Sequence, residues 1–420
     1  MLVPGFAGFD ALGQLEYYSD ITLLCGDWLK RNEVLHYFDN LPTAAVVTRA
    51  ARLRSYLAKR MARGEISGGD EVALVGHSTG GLDIRCLLWD LHSRKRPIRV
   101  DGGVRVDPIE IRERVHRVVF LSVPHWGTNI ADWVKAHWPE RIALVDELRA
   151  AVAGSQLSVV DRIESAIAES GASLTGAELF LAVQDALDEA NELNGKPSPM
   201  RTADAQEAAS QLSLYLRLMA SDFAAIDDLT SCPPQGGKSA SPAHFDVRHR
   251  KQELEALGDI KFQSYVTIGR RVVRFDPGKP APPLELAKPW TYPRMCEDGA
   301  STAGTDIVYR TCYRACAGGP FGQPVMFREV SRWLKEHRIE LWDNDGIVNT
   351  MSMPWPTGEN VLIHADHMDI VGHYRLLHAE PGGGRTYRTY DLLKSNSGFS
   401  RNIFDKVWNK IFGFCLGRTI

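Results

Sequence analysis

The sequence lacks a run of about 18 apolar residues, the length that a membrane-spanning helix requires. It also lacks a strong charge of either sign, because the formal net charge of -3 gives no general attraction to nucleic acid or to an anionic membrane. Its seven cysteines include no CxxC pair, which disfavours a zinc site built on paired thiolates. What remains is an ordinary globular composition over 420 residues, enough for one large α/β domain or two modest ones.

The start of the chain also lacks a recognisable secretion leader, since Met-Leu-Val-Pro leads directly into apolar residues typical of a folded core. As written this indicates a cytoplasmic protein, whereas a removed leader would indicate a secreted one, so localisation stays open. The odd number of cysteines leaves at least one thiol outside any intrachain disulfide. A disulfide among Cys296, Cys312 and Cys316 would require an oxidising compartment.

A buried strand, a glycine-rich turn and a helix follow one another between Val72 and Leu91. The turn reads Gly76-His77-Ser78-Thr79-Gly80. A strand, a sharp turn and a helix form the context that an exposed nucleophilic serine needs. The sequence therefore predicts Ser78 as the nucleophile, and the N–H of Thr79, at a helix N-terminus, as one oxyanion donor. The alternative is a glycine-rich turn with no chemistry.

The first ten residues predict a short strand that runs into the glycine-rich loop Gly5-Phe6-Ala7-Gly8. In a hydrolase of this plan, a loop upstream of the nucleophile supplies the second oxyanion donor, and the backbone N–H of Phe6 is the candidate. The alternative is a turn that only connects a strand to the next element.

Three further apolar segments predict strands, at 115–122, 262–268 and 360–363, and the segment 45–63 predicts a helix. Strands that alternate with helices favour a parallel sheet, in which the carboxyl ends of the strands face a ligand crevice. His125 and Trp126 follow the strand at 115–122 and are candidates, together with His77, to line the substrate pocket. A structural role near the turn is the alternative for His125.

The segment from Trp133 to about Ile226 changes character, because apolar residues recur at helical spacing and no strand-like run interrupts them. We therefore predict three parts: 1–132 and 259–420 form the α/β core, and 133–258 is a helical cap or lid with its linker. The cap either covers an apolar substrate or lipid interface, or only adds stability.

An aspartate and a histidine that follow Ser78 in the chain complete a candidate catalytic triad. Asp345 lies in a polar turn after the strand-like segment 339–342, and His367 follows the strand at 360–363, so the chain order is serine, aspartate, histidine. His367 would accept the proton of Ser78, and Asp345 would orient the imidazole. His364 and His373 are rivals for the base, and Asp343 is a rival for the acid.

These motifs together resemble the true bacterial lipases of the α/β-hydrolase superfamily. The loop Val3-Pro4-Gly5-Phe6-Ala7-Gly8-Phe9-Asp10 and the turn around Ser78 resemble the Pseudomonas and Burkholderia lipases, and the segment Asn344 to Met353 is similar to the staphylococcal and Geobacillus lipases. The segment Asp366-His367-Met368-Asp369 resembles both groups. The resemblance implies an α/β-hydrolase fold, with a mostly parallel central sheet flanked by helices and a helical cap. It also implies a serine carboxylester hydrolase that cleaves apolar acyl esters through an acyl-enzyme.

The chain departs from these families at several positions. Pro4 replaces the usual histidine before the oxyanion glycine, and Thr79 replaces the usual glutamine or histidine after the serine. Many relatives bind calcium near the histidine loop, and Asp369 matches one ligand by position, but the sequence shows no convincing second acidic ligand. The expectation is that no cofactor is required, with calcium as the alternative. The same triad also serves short-chain esterases, polyester hydrolases and acyltransferases, and a non-catalytic binding protein is the alternative outside enzymes. The expected partner is an ester or lipid, with no nucleic acid, and the cap is the candidate for contact with a lipid interface.

Overall fold

The computed structural model describes residues 1–136 with short breaks at 7, 9–10, 13–14, 20, 31, 95 and 101–102. It also describes 224–231, 247–271, 309, 313, 316–317, 327–374, 391–393 and 395–418. The statements below concern these residues.

A five-stranded sheet, parallel throughout, forms the centre of the described structure, in the order β1-β4-β7-β8-β9. The strands predicted at 115–122, 262–268 and 360–363 are confirmed to within one residue at each end, and the strand predicted from Val72 extends to His77. The strands are β1 (Leu2–Val3), β2 (Ala11–Leu12), β3 (Leu15–Glu16), β4 (Val72–His77), β5 (Ile98–Arg99), β6 (Arg105–Val106), β7 (Val115–Leu121), β8 (Lys261–Ile268) and β9 (Glu359–His364).

Helices cover both faces of this sheet, as the helical spacing between the strands predicts. The helix predicted at 45–63 is confirmed as α2. The helices are α1 (Ile21–Trp28), α2 (Val46–Ala62), α3 (Thr79–Ser93), α4 (Pro108–Arg114), α5 (Asn129–Ala136), α6 (Ala225–Leu229), α7 (Val247–Ala256), α8 (Arg328–Glu336) and α9 (Arg401–Leu416).

The two faces of the sheet belong to two separate apolar cores. Side chains alternate along a strand, so Leu74 and Val118 point to one face while Val75 and Val119 point to the other. The first core packs the sheet against α2, α3 and α4, and the second packs it against α1 and α9. Each large aliphatic side chain that is fully buried in these cores contributes about 1.5–3 kcal/mol to stability. This burial on both faces explains why the central strands are continuous apolar runs.

The carboxyl ends of the strands lie along one edge of the sheet, since all five run in the same direction. Pro4 follows β1, Ser78 follows β4 and Ser122 follows β7. Segments 269–271 and 365–369 follow β8 and β9. This edge is where a doubly covered parallel sheet places a binding crevice.

Helices α5 and α6 lie side by side although they are far apart in sequence. The backbone N–H of Thr128, just before α5, donates to the carbonyl of Leu229 at 2.7 Å. The hydroxyl of Ser231 donates to Asp132 on α5 at 2.5 Å. The two ends of the segment 137–223 therefore meet at one place on the core. The predicted cap helices within that segment lie outside the described residues.

One local prediction was wrong. The segment 339–342 alternates as a strand does, but the structure has a turn there. The Asp343 carboxylate accepts the backbone N–H of Glu340 at 2.9 Å, and the Asp343 N–H returns to the Glu340 carbonyl at 3.1 Å, which closes the turn. Asp345 therefore does not follow a strand. Among the described helices, none is long and apolar enough to cross a bilayer.

Candidate active site

Ser78 occupies a strained turn between β4 and α3. Its backbone adopts φ 52° and ψ -129°, a region that residues with a β-carbon rarely enter. The Ser78 N–H donates to the Leu121 carbonyl of β7 at 2.8 Å, which ties the turn to the sheet. Helix α3 then starts in close contact with the end of β1. A β-carbon on Gly80 would overlap the carbonyls of Val3 and Pro4, so this contact requires glycine. The flanking glycine thus permits the close approach that the turn requires.

Asp345 and His367 form a hydrogen-bonded pair beside this turn. His367 Nδ1 lies 2.8 Å from Asp345 Oδ2, and the His367 backbone N–H donates to the Asp345 carbonyl at 2.9 Å. Because a carboxylate accepts, the proton of the neutral imidazole sits on Nδ1 and the lone pair sits on Nε2. The hydrogen bond to Asp345 thus favours one tautomer of the His367 ring, in which Nε2 is the nitrogen that can accept a proton.

The carboxylate of Asp345 is held in place by further donors. Oδ1 accepts the backbone N–H groups of Ile347 at 3.0 Å and Val348 at 2.8 Å. Oδ2 accepts the hydroxyl of Thr267 at 2.6 Å, in addition to the bond with His367. Thr267 lies near the end of β8, so the sheet orients the acid although Asp345 itself lies in a turn.

The histidine loop packs directly against the serine turn. The rings of His77 and His367 are 4.6 Å apart between centroids, and His77 Nε2 lies 2.9 Å from the His367 carbonyl oxygen. Ser78 and His367 are almost buried, with 5% and 3% of their surfaces exposed. In the described part of the chain, no hydrogen bond joins Ser78 Oγ to His367 Nε2.

The two candidate oxyanion donors flank Ser78. Thr79 begins α3, where backbone N–H groups lack partners within the helix. Phe6 follows Gly5, and Gly5 is pressed against the turn. A β-carbon on Gly5 would lie 2.6 Å from the Ser78 β-carbon. Only glycine therefore fits at position 5 without displacing Ser78.

Arg49 holds the loop that carries Phe6. This side chain is fully buried on α2, and its Nη2 donates to the carbonyls of Pro4 at 2.8 Å and Gly5 at 3.0 Å. Its Nε donates to Asp83 on α3 at 2.9 Å, and its Nη1 donates to the Leu41 carbonyl at 2.6 Å. Burial raises the pKa of Asp83 to about 6, and Arg49 opposes that rise. One arginine thus joins the candidate oxyanion loop to the helix that starts at the serine.

The rival candidates lie in other surroundings. His364 is exposed at the end of β9. His373 is buried, and its Nε2 lies 3.0 Å from the Tyr17 carbonyl oxygen. Asp343 forms a bidentate ion pair with Arg271, at 2.6 and 2.7 Å. Of the sequence candidates, the structure brings together Asp345 and His367.

The residues predicted to line the pocket are mostly inside the fold. His77 and His125 are completely buried, while Trp126 is half-buried. Burial, followed by the nearby Arg85, lowers the pKa of His125 well below its ordinary value, so its ring is neutral. These positions favour the structural alternative for His125 and place His77 beneath the serine turn.

A buried ion pair joins α3, the helix that follows Ser78, to α7. Arg85 on α3 binds Glu253 on α7 through two hydrogen bonds, at 2.8 and 2.7 Å, and both side chains are fully buried. Arg250, also on α7, donates to the His125 carbonyl and lies 3.6 Å from the centre of the Trp126 ring. Helix α7 is thereby fastened to the helix that starts at Ser78.

Three buried carboxylates lie together at the loop that carries His367. Asp366, Asp369 and Asp391 each offer an oxygen within 4.8 Å of the others. Burial raises the pKa of Asp366 and Asp369 well above the ordinary value, and the neighbouring carboxylates add to the rise. Buried like charges need a neutralising partner, and an all-oxygen set of donors suits calcium. The residues therefore fit the ion that the sequence resemblance implies for Asp369.

Several residues around the site carry no recognisable signal in the sequence. Thr267 is an ordinary strand residue, Arg49 is one of several arginines on α2, and Asp391 is 22 residues beyond Asp369. These residues are defined only by contacts between distant segments.

Comparisons with solved structures find bacterial lipases and esterases. The Staphylococcus hyicus lipase is 14% identical, with a TM-score of 0.44 over 98% of this chain and 93% of that one. EstA from Clostridium botulinum is 16% identical, with a TM-score of 0.42 over 96% and 86%. Lipase 1 from Pelosinus fermentans is 16% identical, with a TM-score of 0.42 over 98% and 97%. No family model and no curated protein matches the chain.

The fold can be stated from the structure itself. A parallel sheet is covered by helices on both faces, and a serine lies on a strained turn between a strand and a helix at its carboxyl edge. This arrangement fits an α/β-hydrolase-like fold.

Proposed function

We propose that the protein is a lipase-like serine carboxylester hydrolase that cleaves apolar acyl esters with Ser78, His367 and Asp345. The observation that carries the proposal is the strained Ser78 turn packed against a histidine whose Nδ1 is bound by a buried aspartate, at 2.8 Å. A serine hydroxyl is a weak nucleophile at neutral pH and needs such a base.

The proton movements follow from the tautomer. His367 Nε2 accepts the Ser78 proton while Oγ attacks the acyl carbon, and the imidazolium gives this proton to the departing alcohol. Water then attacks the acyl carbon while His367 accepts its proton. The bond between the acyl carbon and Oγ breaks, the imidazolium returns the proton to Oγ, and the carboxylic acid leaves. Asp345 stabilises the imidazolium in both halves through Nδ1–H. The Ser78–His367 hydrogen bond forms as substrate enters, since such bonds often tighten only in the complex.

The oxyanion of each tetrahedral intermediate is bound by the N–H groups of Phe6 and Thr79. Each such donor lowers the barrier by about 3 kcal/mol in comparable sites. Arg49 supports the first donor by holding the neighbouring carbonyls of Pro4 and Gly5.

The substrate class rests on the segment 133–258, which we propose to be a cap over the crevice. The residues on either side of its part 137–223 meet on the core at α5 and α6, as an insertion requires. Trp126 lies shortly before the start of α5 and is the half-buried member of the proposed pocket, whereas His77 and His125 are completely buried. An apolar inner face of the cap would select apolar acyl chains and could contact a lipid interface.

Calcium would be held by Asp366, Asp369 and Asp391. Its charge would neutralise the three buried carboxylates and so stabilise the loop that carries His367. Asp366 and Asp369 flank that histidine in sequence, and the Asp366 carboxylate already accepts the N–H of Met368 at 2.8 Å. The ion has no place in the proton transfers.

Hydrolysis of p-nitrophenyl esters from acetate to palmitate tests the proposal, with wild type beside Ser78→Ala. Ser264→Ala is a matched control, because it removes another buried serine hydroxyl of the same region, one that donates to the Met353 carbonyl. We expect activity in wild type and control, loss in Ser78→Ala, and covalent labelling of Ser78 by an organophosphonate.

The dependence on acyl length separates the related activities. A rate that rises with chain length indicates a lipase, and a rate confined to acetate and butyrate indicates a short-chain esterase. A Ser78→Ala protein that keeps wild-type activity, in an enzyme that ignores organophosphonates, would refute the proposal. Absence of hydrolysis and of labelling would favour a binding protein.

A further inference from the structure

Tyr17 and His77 form a continuous hydrogen-bonded chain beneath the serine turn. The Gly5 N–H donates to the Tyr17 hydroxyl at 2.9 Å. That hydroxyl lies 2.6 Å from His77 Nδ1, and His77 Nε2 lies 2.9 Å from the carbonyl oxygen of His367. The chain therefore begins at the loop of the candidate oxyanion donor and ends at the candidate base.

The chemistry of the two ends determines the direction of every bond. The His367 carbonyl can only accept, so His77 Nε2 carries the proton and, in the neutral ring, Nδ1 carries the lone pair. Tyr17 must then donate its hydroxyl proton to Nδ1, and its oxygen accepts from Gly5. One arrangement of protons satisfies all four groups, so the chain defines a single geometry.

The surroundings keep these protons in place. Tyr17 and His77 are buried, with 3% and 0% of their surfaces exposed. Burial raises the pKa of the Tyr17 hydroxyl far above its ordinary value and lowers that of His77 well below its own. Tyr17 therefore stays protonated and His77 stays neutral, as the chain requires.

The backbone around Tyr17 is tied to the same histidine loop. His373 Nε2 lies 3.0 Å from the Tyr17 carbonyl oxygen, and the Ser19 N–H donates to the Val371 carbonyl at 2.9 Å. Tyr17 thus cannot shift without disturbing residues a few positions beyond His367. Its hydroxyl also borders Gly5, where a β-carbon would lie 2.7 Å from the oxygen.

We propose that Tyr17 and His77 are positioning residues that hold the Gly5–Phe6 peptide and the base His367 in a single alignment around Ser78. The proposal rests on the proposed function, because it assigns Phe6 and His367 their roles in ester hydrolysis. Neither residue touches substrate. They act by keeping one oxyanion donor and the base from moving independently, and small misplacements of reacting groups lower rates by about 100-fold in other enzymes.

The first experiment compares Tyr17→Phe with Tyr265→Phe in the full chain. Tyr265 is a matched control, because it is also buried and its hydroxyl donates to Gln263 at 3.1 Å on the sheet. We expect Tyr17→Phe to lower kcat on p-nitrophenyl butyrate by about 10- to 100-fold while KM changes by less than about threefold. Tyr265→Phe should leave both near wild type. A purely structural role would lower the amount of folded enzyme and not kcat per titrated site.

The second experiment compares His77→Gln with His77→Leu. A glutamine amide can still donate near the position of Nε2, whereas leucine cannot. We expect Gln to retain about tenfold more kcat than Leu, since it preserves the bond to the His367 carbonyl. Equal loss in the two variants would overturn the role of that bond.

Nitrogen-15 NMR of histidine-labelled protein gives a readout that does not depend on activity. The ring proton of His367 bound to Asp345 should shift in Tyr17→Phe and not in Tyr265→Phe. An unchanged His367 signal, or a kcat no lower than that of Tyr265→Phe, would overturn the proposal. If wild type neither hydrolyses esters nor reacts with an organophosphonate, the proposed function fails, and the NMR shift alone decides whether the chain positions His367.

Discussion

Replacing Arg49 by methionine should destabilise the protein more than any exposed arginine of the same helix. Arg49 and Asp83 are fully buried, with 2.9 Å between Nη2 and Oδ2. Methionine keeps much of the side-chain length but leaves the carboxylate without its cation. Removing one partner of a buried ion pair costs about 3–5 kcal/mol. The carbonyls of Pro4, Gly5 and Leu41 lose a donor as well. A loss of this size is a large part of the 5–15 kcal/mol that stabilises a typical domain, by rough figures.

The stability lost in Arg49→Met should increase with pH, because of Asp83. In the folded protein the pKa of Asp83 is raised from its ordinary 3.8 to about 6, so the folded state binds this proton more tightly than the unfolded chain. The contribution of Asp83 to the free energy of unfolding is therefore most favourable at low pH, and it falls as the pH rises from about 4 through about 6. Without Arg49 the pKa rises further. The deficit of Arg49→Met should be smallest near pH 4, where only the lost donors to the backbone carbonyls remain, and should approach its full size above pH 7.

Urea unfolding of wild type, Arg49→Met and Arg52→Met at several pH values measures this effect. Arg52 is the control, because its pair with Asp39 is 3.5 Å long and the side chains are 47% and 70% exposed. Such surface pairs contribute about 0–1 kcal/mol. The reasoning is refuted if Arg49→Met lies within about 1 kcal/mol of Arg52→Met at neutral pH, or if its deficit grows as pH falls.

Three further predictions concern the site. Asp345→Asn should lower kcat by about 10⁴-fold, because the amide favours the wrong tautomer of His367, and a loss under tenfold in stopped-flow acylation would contradict the assigned acid. Thr267→Val should cost about 1.5–3 kcal/mol in thermal unfolding by removing the 2.6 Å donor to Asp345, and an unchanged melting temperature would contradict that bond. Chelation by EGTA should lower the melting temperature, and calcium should restore it but magnesium should not. Asp391→Asn should weaken the recovery, and a melting temperature that ignores EGTA would argue against the ion.

Local sequence patterns predicted the central strands and the helices α2 and α3, but not α1 and α9, which build the second core. The apolar run before Ser78, with glycines on either side, predicted the strand, turn and helix, because burial on both faces of a parallel sheet and a tight backbone crossing impose that pattern directly. The segment 339–342 shows the limit. Its alternation resembles a strand, yet Asp343 bonds back to Glu340 and no neighbouring strand pairs with it in the described structure.

The sequence by itself determined the chain order of serine, aspartate and histidine and the apolar strands that precede Ser78 and His367. Only the tertiary structure decided that Asp345 and His367 meet, and that His373 and Asp343 have other partners. It alone brought Arg49 to Asp83, Tyr17 to His77 and Asp391 to Asp369. The physical reason is that periodicity records which face of an element is buried, which is a local property. A hydrogen bond between distant segments depends on strand order and on the direction in which each loop leaves the sheet.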